Sequence, residues 1–216
     1  MNHKPLVKLF LPLAFLVFIA SCKKSSDTDS STTVSTACNT SPYKIGIVST
    51  YTTTSSGTYT VTCPSASTIN GKNYIKTVTS LAGGNASYIY VDTNGDVWSY
   101  IPAVAGADLP ASEMIICKPS KAVGDTWSYS FQSIAAPTMI SYKYTYTVMA
   151  NNITFTLAGK TYTNCMKVKT VLETFFNGVA TGPSGQSTAS TWACGIGLVS
   201  SEVNGAAYST LTSYVY

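Results

Sequence analysis

Asp92-Thr93-Asn94-Gly95-Asp96 sets oxygen-bearing side chains at alternate positions, as the opening of a calcium loop does. The bidentate acid that would close such a loop is missing, because Val97-Trp98-Ser99-Tyr100 follows. The same residues make a good hairpin turn between two aromatic-rich runs, and that is the expectation here. Glu173 and Glu202 flank the last long loop and could form the acid and nucleophile of a glycosidase. Such a pair must lie ~5–10 Å apart across a sugar cleft, and two acids on a solvated surface look the same in sequence. Ser41-Pro42-Tyr43-Lys44 has the Ser-x-x-Lys spacing, but no helical pattern brings its two ends together. Ser120 and Lys121 are adjacent and point apart on a strand. The only histidine is His3, and all 13 basic residues are lysines. Once His3 is removed with a leader, the chain lacks a Ser-His or Cys-His pair and a His-based metal site. Without Arg it also lacks the fork used for carboxylate, phosphate or guanine. The expectation is a non-enzyme with no catalytic residue, no metal and no cofactor.

Cys22 has a different chemistry before it. His3, Lys4 and Lys8 make a small positive end, Leu9 to Ala20 an apolar run, and Ile19-Ala20-Ser21-Cys22 a small-residue junction. This order is that of a secretory signal peptide. Twelve residues rise about 18 Å as a helix, short of the ~30 Å hydrocarbon core, so a membrane span is the weaker reading. Ordinary cleavage after Ala20 is disfavoured because Phe18 stands where a small residue is needed. The tetrapeptide matches the bacterial lipobox, in which cleavage before the cysteine exposes it to acylation with fatty chains such as palmitate. Several acyl chains on one residue suffice for stable anchoring. Lys23 rather than Asp follows, so the enterobacterial inner-membrane retention signal is absent and the outer membrane is expected.

Residues 1–21 therefore read as a leader, and the Ser/Thr/Asp/Lys-rich residues 22–40 as a flexible tether. Residues 41–216 are long enough for one domain with a sizeable core. That stretch carries nine lysines against seven acidic residues, which gives no basic stripe and makes nucleic acid a poor partner. Besides Cys22 there are five cysteines: Cys38, Cys63, Cys117, Cys165 and Cys194. Outside the cytoplasm these read first as disulfides. The preferred bridges are Cys165–Cys194 and Cys38–Cys63, with Cys117 a buried free thiol.

Beyond residue 41 apolar residues recur with period two in Thr-, Val-, Ile- and Tyr-rich runs, and no helical period is present. Tyr59, Val61 and Cys63 share a face; so do Tyr142, Tyr144, Tyr146 and Val148; so do Ile153, Phe155 and Leu157. Asn-Gly pairs at 177–178 and 204–205, and Val123-Gly124-Asp125, separate the runs. An antiparallel all-β domain follows, either a β-sandwich or a partly closed β-barrel. Gly71-Lys72-Asn73-Tyr74 echoes Gly159-Lys160-Thr161-Tyr162, which fits either two β-meander halves or two independent hairpin turns.

Three segments also look familiar: Gly124-Asp125-Thr126-Trp127, then Ala158-Gly159-Lys160-Thr161-Tyr162-Thr163-Asn164-Cys165 leading to Lys167-Val168-Lys169, and Trp192-Ala193-Cys194-Gly195-Ile196-Gly197-Leu198-Val199. They resemble a group of bacterial surface or periplasmic proteins whose pattern ends in a "GvGlV" strand. The Cys22-Lys23-Lys24-Ser25-Ser26 opening is similar to lipoproteins of the Bacteroidota. The resemblance implies an all-β fold and an envelope location, not an activity. Ser200-Ser201-Glu202 follows Val199 where many members carry a lysine.

Aromatic residues carry the remaining functional signal. Fifteen tyrosines and three tryptophans could stack on sugars or line an apolar cavity, and they also suit sheet packing. Tyr142, Tyr144, Tyr146, Trp98 with Tyr100, and Trp192 are the candidates. The leading expectation is a membrane-anchored, non-enzymatic β domain that binds a glycan or other extracellular ligand, or serves envelope architecture. A carrier or sensor with a cavity for an apolar, lipid-like small molecule is the second, as in small barrels. A carboxylate-based hydrolase is the third. They differ in what they require: an exposed aromatic row beside Asp or Asn, a large enclosed cavity, or two carboxylates in one cleft.

Overall fold

Runs of β-branched and aromatic residues separated by two-residue turns can satisfy their backbone groups only by pairing with neighbours. In the computed structural model they do so, among the described residues, as twelve strands. These are β1 (Val48–Thr53), β2 (Gly57–Ile69), β3 (Lys72–Thr79), β4 (Ser87–Val91), β5 (Val97–Ile101), β6 (Ser112–Cys117), β7 (Thr126–Gln132), β8 (Ile140–Leu157), β9 (Lys160–Phe176), β10 (Val179–Ala193), β11 (Gly197–Val203) and β12 (Ala206–Val215). The structure describes residues 41–55, 57–81, 86–103, 110–133, 139–157 and 159–215, with the side chains of 182–186 left aside.

All twelve form one antiparallel sheet in the order β6-β5-β4-β3-β2-β1-β12-β11-β10-β9-β8-β7, curled into a nearly closed barrel. The open alternative between sandwich and barrel is thereby settled as a barrel. The path is a continuous meander in which the first and last strands pair, Val48 opposite Val215. The seam lies between β6 and β7, where the Trp127 indole donates to the Ile115 carbonyl at 2.8 Å. Asn-Gly turns close three hairpins, with both residues at positive φ: Asn70/Gly71, Asn177/Gly178 and Asn204/Gly205. That is the type I′ geometry whose twist matches the strands. The two Gly-Lys turns that echo one another connect β2 to β3 and β8 to β9.

Among the described residues two buried clusters form the core. One joins Ile89, Val97, Met114, Cys117, Tyr146, Val148, Met166 and Val168, drawn from both ends of the sheet as closure requires. The other joins Tyr51, Tyr162, Cys165, Ala193, Val199 and Leu211. Asn152 and Asn164, both at positive φ, stand beside register shifts that bend the long β8–β9 hairpin.

The preferred disulfides are not the ones formed. Cys63 and Cys165 are buried free thiols, as is Cys117. The reason is register: Cys165 stands opposite Ala193, so Cys194 is one residue past the position that could meet it. One residue along a strand reverses side-chain direction. Cys22 and Cys38 lie outside the described residues. Cys194 is disulfide-bonded, so its partner also lies outside them. Alkylation of the denatured, unreduced chain is expected to label Cys63, Cys117 and Cys165 and to leave Cys194 unlabelled. Labelling of Cys194 in place of Cys165 would contradict this.

Candidate functional site

The alternation of β4 and β5 turns Ile89, Val91 and Val97 toward the first cluster. Tyr88, Tyr90, Trp98 and Tyr100 therefore lie on the other face. Register completes the group, because Tyr88 is opposite Tyr100 and Tyr90 opposite Trp98. The result is a block of four half-buried rings on the outside of the barrel. Tyr88 and Tyr100 meet edge to face at 5.9 Å, while Tyr74 of β3 packs under Tyr90 at 5.7 Å and Tyr100 at 6.1 Å.

A polar frame holds the block. Asp92 caps the β4–β5 turn through Oδ1, which accepts from the amides of Asn94 (2.8 Å) and Asp96 (3.0 Å). Its Oδ2 accepts from the Trp98 indole at 3.0 Å. Lys72 Nζ sits 3.5 Å from the Trp98 ring centroid and 2.9 Å from Glu113 Oε1. Glu113 also accepts from the Tyr74 hydroxyl. Burial works to raise the Glu113 pKa, but the hydrogen bonds from Tyr74, Lys72 and Asn70 and the Lys72 charge outweigh it and hold the carboxyl low. Glu113 thus stays ionised as the acceptor that orients both neighbours. Burial, and after it the same hydrogen bond, raises the Tyr74 pKa. The Asp92–Asp96 segment is a hairpin turn, and its leading carboxylate is spent on that turn rather than left for a cation.

The other candidates are placed differently. Tyr142, Tyr144 and Tyr146 do share a face, but it is the inner one. Trp127 stacks on Tyr146 at 5.3 Å and Phe131 on Tyr144 at 5.7 Å. Tyr146 is buried and Tyr144 packs against the first cluster, so this stripe is core rather than an exposed platform. Trp192 also packs against that cluster and lines a small cavity of about 40 Å³ together with Cys117, Met166, Asn151, Asn164 and Pro42. A cavity of that size holds a few waters, not a lipid. A second, half-open depression of about 430 Å³ is lined by Lys160, Tyr162, Ile196, Leu211 and Tyr214.

Glu173 and Glu202 are not brought together. Glu202 stands opposite Ala189, which stands opposite Lys169, four residues from Glu173 along β9. That is about 13 Å along the strand and about 10 Å across the sheet, beyond the reach of a glycosidase pair. Each pairs instead with a lysine, Glu173 with Lys143 at 3.5 Å and Glu202 with Lys167 at 2.6 Å. Ser41 Oγ is taken up by the Tyr43 backbone.

Sequence reading missed Tyr74, Tyr88, Tyr90, Lys72 and Glu113. A signal for two of them was available: Tyr88/Tyr100 and Tyr90/Trp98 are equidistant from Asn94, so a hairpin turn there must pair them.

Among solved structures the chain is similar to a protein provisionally classed as a lipoprotein from Parabacteroides distasonis, at 14% identity and TM-score 0.49, over 81% of this chain and 97% of that one. It is also similar to a protein of YmcC-like fold from Bacteroides fragilis, provisionally classed as exported, at 12% identity and TM-score 0.45, over 81% and 98% of the two chains. No family model and no curated protein matches the chain.

Proposed function

We propose that this chain is a lipid-anchored protein of the cell envelope, held in the outer membrane through acylated Cys22, whose β domain binds glycans on the outer face of β3–β6 without catalysing a reaction. The observation that carries the glycan reading is the ring block of Tyr88, Tyr90, Trp98 and Tyr100, framed by Lys72, Asp92 and Glu113. Flat aromatic faces suit the apolar C–H faces of pyranose rings, and charged groups at the margin suit hydroxyls. Trp98 is fixed on two sides, by Asp92 at its nitrogen and Lys72 over its ring, so little side-chain freedom remains to be lost on binding.

The depression beside Lys160 favours a second reading, carriage of an amphiphile. Its volume falls in the range of small-molecule sites and it has an ammonium at its rim.

A glycan array probed with the mature chain tests both. Retention of an envelope or host polysaccharide, lowered at least tenfold by Trp98→Ala and unchanged by Tyr162→Phe, is expected. Failure of every glycan to bind, with retention of fatty acids sensitive to Lys160→Ala, would favour the carrier. For the anchor, Cys22→Ser is expected to release the protein from the membrane fraction. Normal membrane retention of that variant would overturn the lipid attachment.

A further inference from the structure

We propose that Cys117 and Met166, whose sulfurs meet at the wall of the small cavity, bind a soft monovalent metal ion, Cu(I). This site is independent of the outer ring block. Cys117 Sγ lies 3.5 Å from Met166 Sδ, and both residues line the cavity with Trp192. Thiolate and thioether are the ligand types that select Cu(I) over the harder divalent ions. Among the described residues no three His, Cys, Asp or Glu side chains converge, so a four-ligand site of the kind zinc takes is not built there. Two-coordinate soft binding needs no more than the pair that is present.

The geometry leaves room for the ion. With metal–sulfur bonds of roughly 2.3 Å, two sulfurs flanking a metal stand up to about 4.6 Å apart. The pair must therefore open by as much as about 1 Å, and the unbranched Met166 side chain can swing into the cavity beside it. Asn151 and Asn164 line the same cavity, and Asn164 is exposed, which gives a polar way in from solvent. Two further features favour a cation. Trp192 lines the same cavity, and aromatic side chains attract positive charge. Asp96, between the cavity-lining Gly95 and Val97, has a buried Oδ1 with no hydrogen-bond partner among the described residues. Burial, and then the Asp96 charge, hold the proton on Cys117, so the ion must displace it. Cys165 differs, since its thiol is directed at the Thr163 carbonyl.

Binding exchanges one proton for one ion: the Cys117 S–H bond breaks, a Cu–S bond forms, and the proton leaves to solvent. No electron is transferred. The test is anaerobic titration of the mature chain with Cu(I) against bicinchoninate, with Ag(I) as a redox-inert check. One equivalent is expected to resist the competitor and to quench tryptophan emission. Met166→Leu, close in volume, should weaken retention more than tenfold while leaving the melting midpoint in place, and Cys117→Ser should abolish it. Cys63→Ser and Cys165→Ser should each retain the full equivalent. Absence of competitor-resistant Cu(I), wild-type retention in Met166→Leu, or loss in Cys63→Ser or Cys165→Ser would overturn the site.

Discussion

Gly197→Val is expected to lower the stability of the domain by about 3 kcal/mol or more, through two separate causes. Gly197 opens β11 at φ +93, a backbone that side-chain-bearing residues rarely adopt. A Cβ there would also stand 2.9 Å from the Tyr43 hydroxyl, 3.2 Å from its ring and 3.3 Å from Pro42 Cγ. Tyr43 and Pro42 belong to the segment that enters the barrel, where Tyr43 packs against the first cluster. The substituted side chain would have to displace that segment as well as strain the strand. Gly197→Ala should lose most of the same amount, because both causes begin at Cβ. Tyr43→Phe, which removes the atom at 2.9 Å, should recover part of the loss when combined with Gly197→Ala. Urea unfolding measures each variant. An unchanged midpoint for Gly197→Val would mean that this strand start relaxes freely, and the packing of Tyr43 against it would have to be abandoned.

The second large effect is expected in alkali. Burial raises the pKa of Tyr43, Tyr51, Tyr74 and Tyr146 above the ordinary tyrosine value. Below about pH 10 folded and unfolded chains both hold these protons, so stability does not depend on them. Above it the unfolded chain releases protons that the folded chain keeps, and each tyrosine removes about 1.4 kcal/mol of stability per pH unit. Four acting together reach, within one or two units, the whole stability of an ordinary domain, about 5–15 kcal/mol. A steep cooperative loss of β-structure between about pH 10 and 12 should follow. Tyrosinate absorbance should rise in the same step. Tyr146→Phe gives up only a contact of its hydroxyl with the Met114 sulfur, and should make the transition shallower. Smooth ionisation of all tyrosines near pH 10 with the circular dichroism intact would contradict the burial of these rings.

Strand content, the Asn-Gly hairpins and the special backbone at Gly197 were legible because each depends on neighbours in the chain. Cys117 is a buried free thiol as expected, but it was reached by elimination from two bridges that do not form. Period-two alternation places Tyr142, Tyr144 and Tyr146 on one face but cannot say whether that face looks inward. Closure decides that, by setting β7 and β8 at the seam opposite β6. The same limit explains Cys165 and Cys194, where one residue of register turns the two side chains to opposite faces and rules out a bridge between them. Lys72 and Glu113 are 41 residues apart in sequence and meet only because three hairpins stack β3 beside β6 through β4 and β5. No local pattern announces such a pair. The outer ring block was half legible: Trp98 and Tyr100 stand out in the sequence, while Tyr88 and Tyr90 acquire meaning only from the turn at Asn94 and Gly95.

The indole N–H signals of Trp98, Trp127 and Trp192 test the glycan site most directly, since each tryptophan reports one place. Trp127 is tied to the Ile115 carbonyl at the seam, Trp192 faces the inner cavity, and Trp98 alone stands in the outer block beside Lys72 and Asp92. In a heteronuclear NMR titration with a glycan retained by the mature chain, the Trp98 signal is expected to shift saturably while those of Trp127 and Trp192 stay in place. A saturable shift of Trp192 or Trp127 with Trp98 unmoved would contradict a glycan site on the outer face of β3–β6.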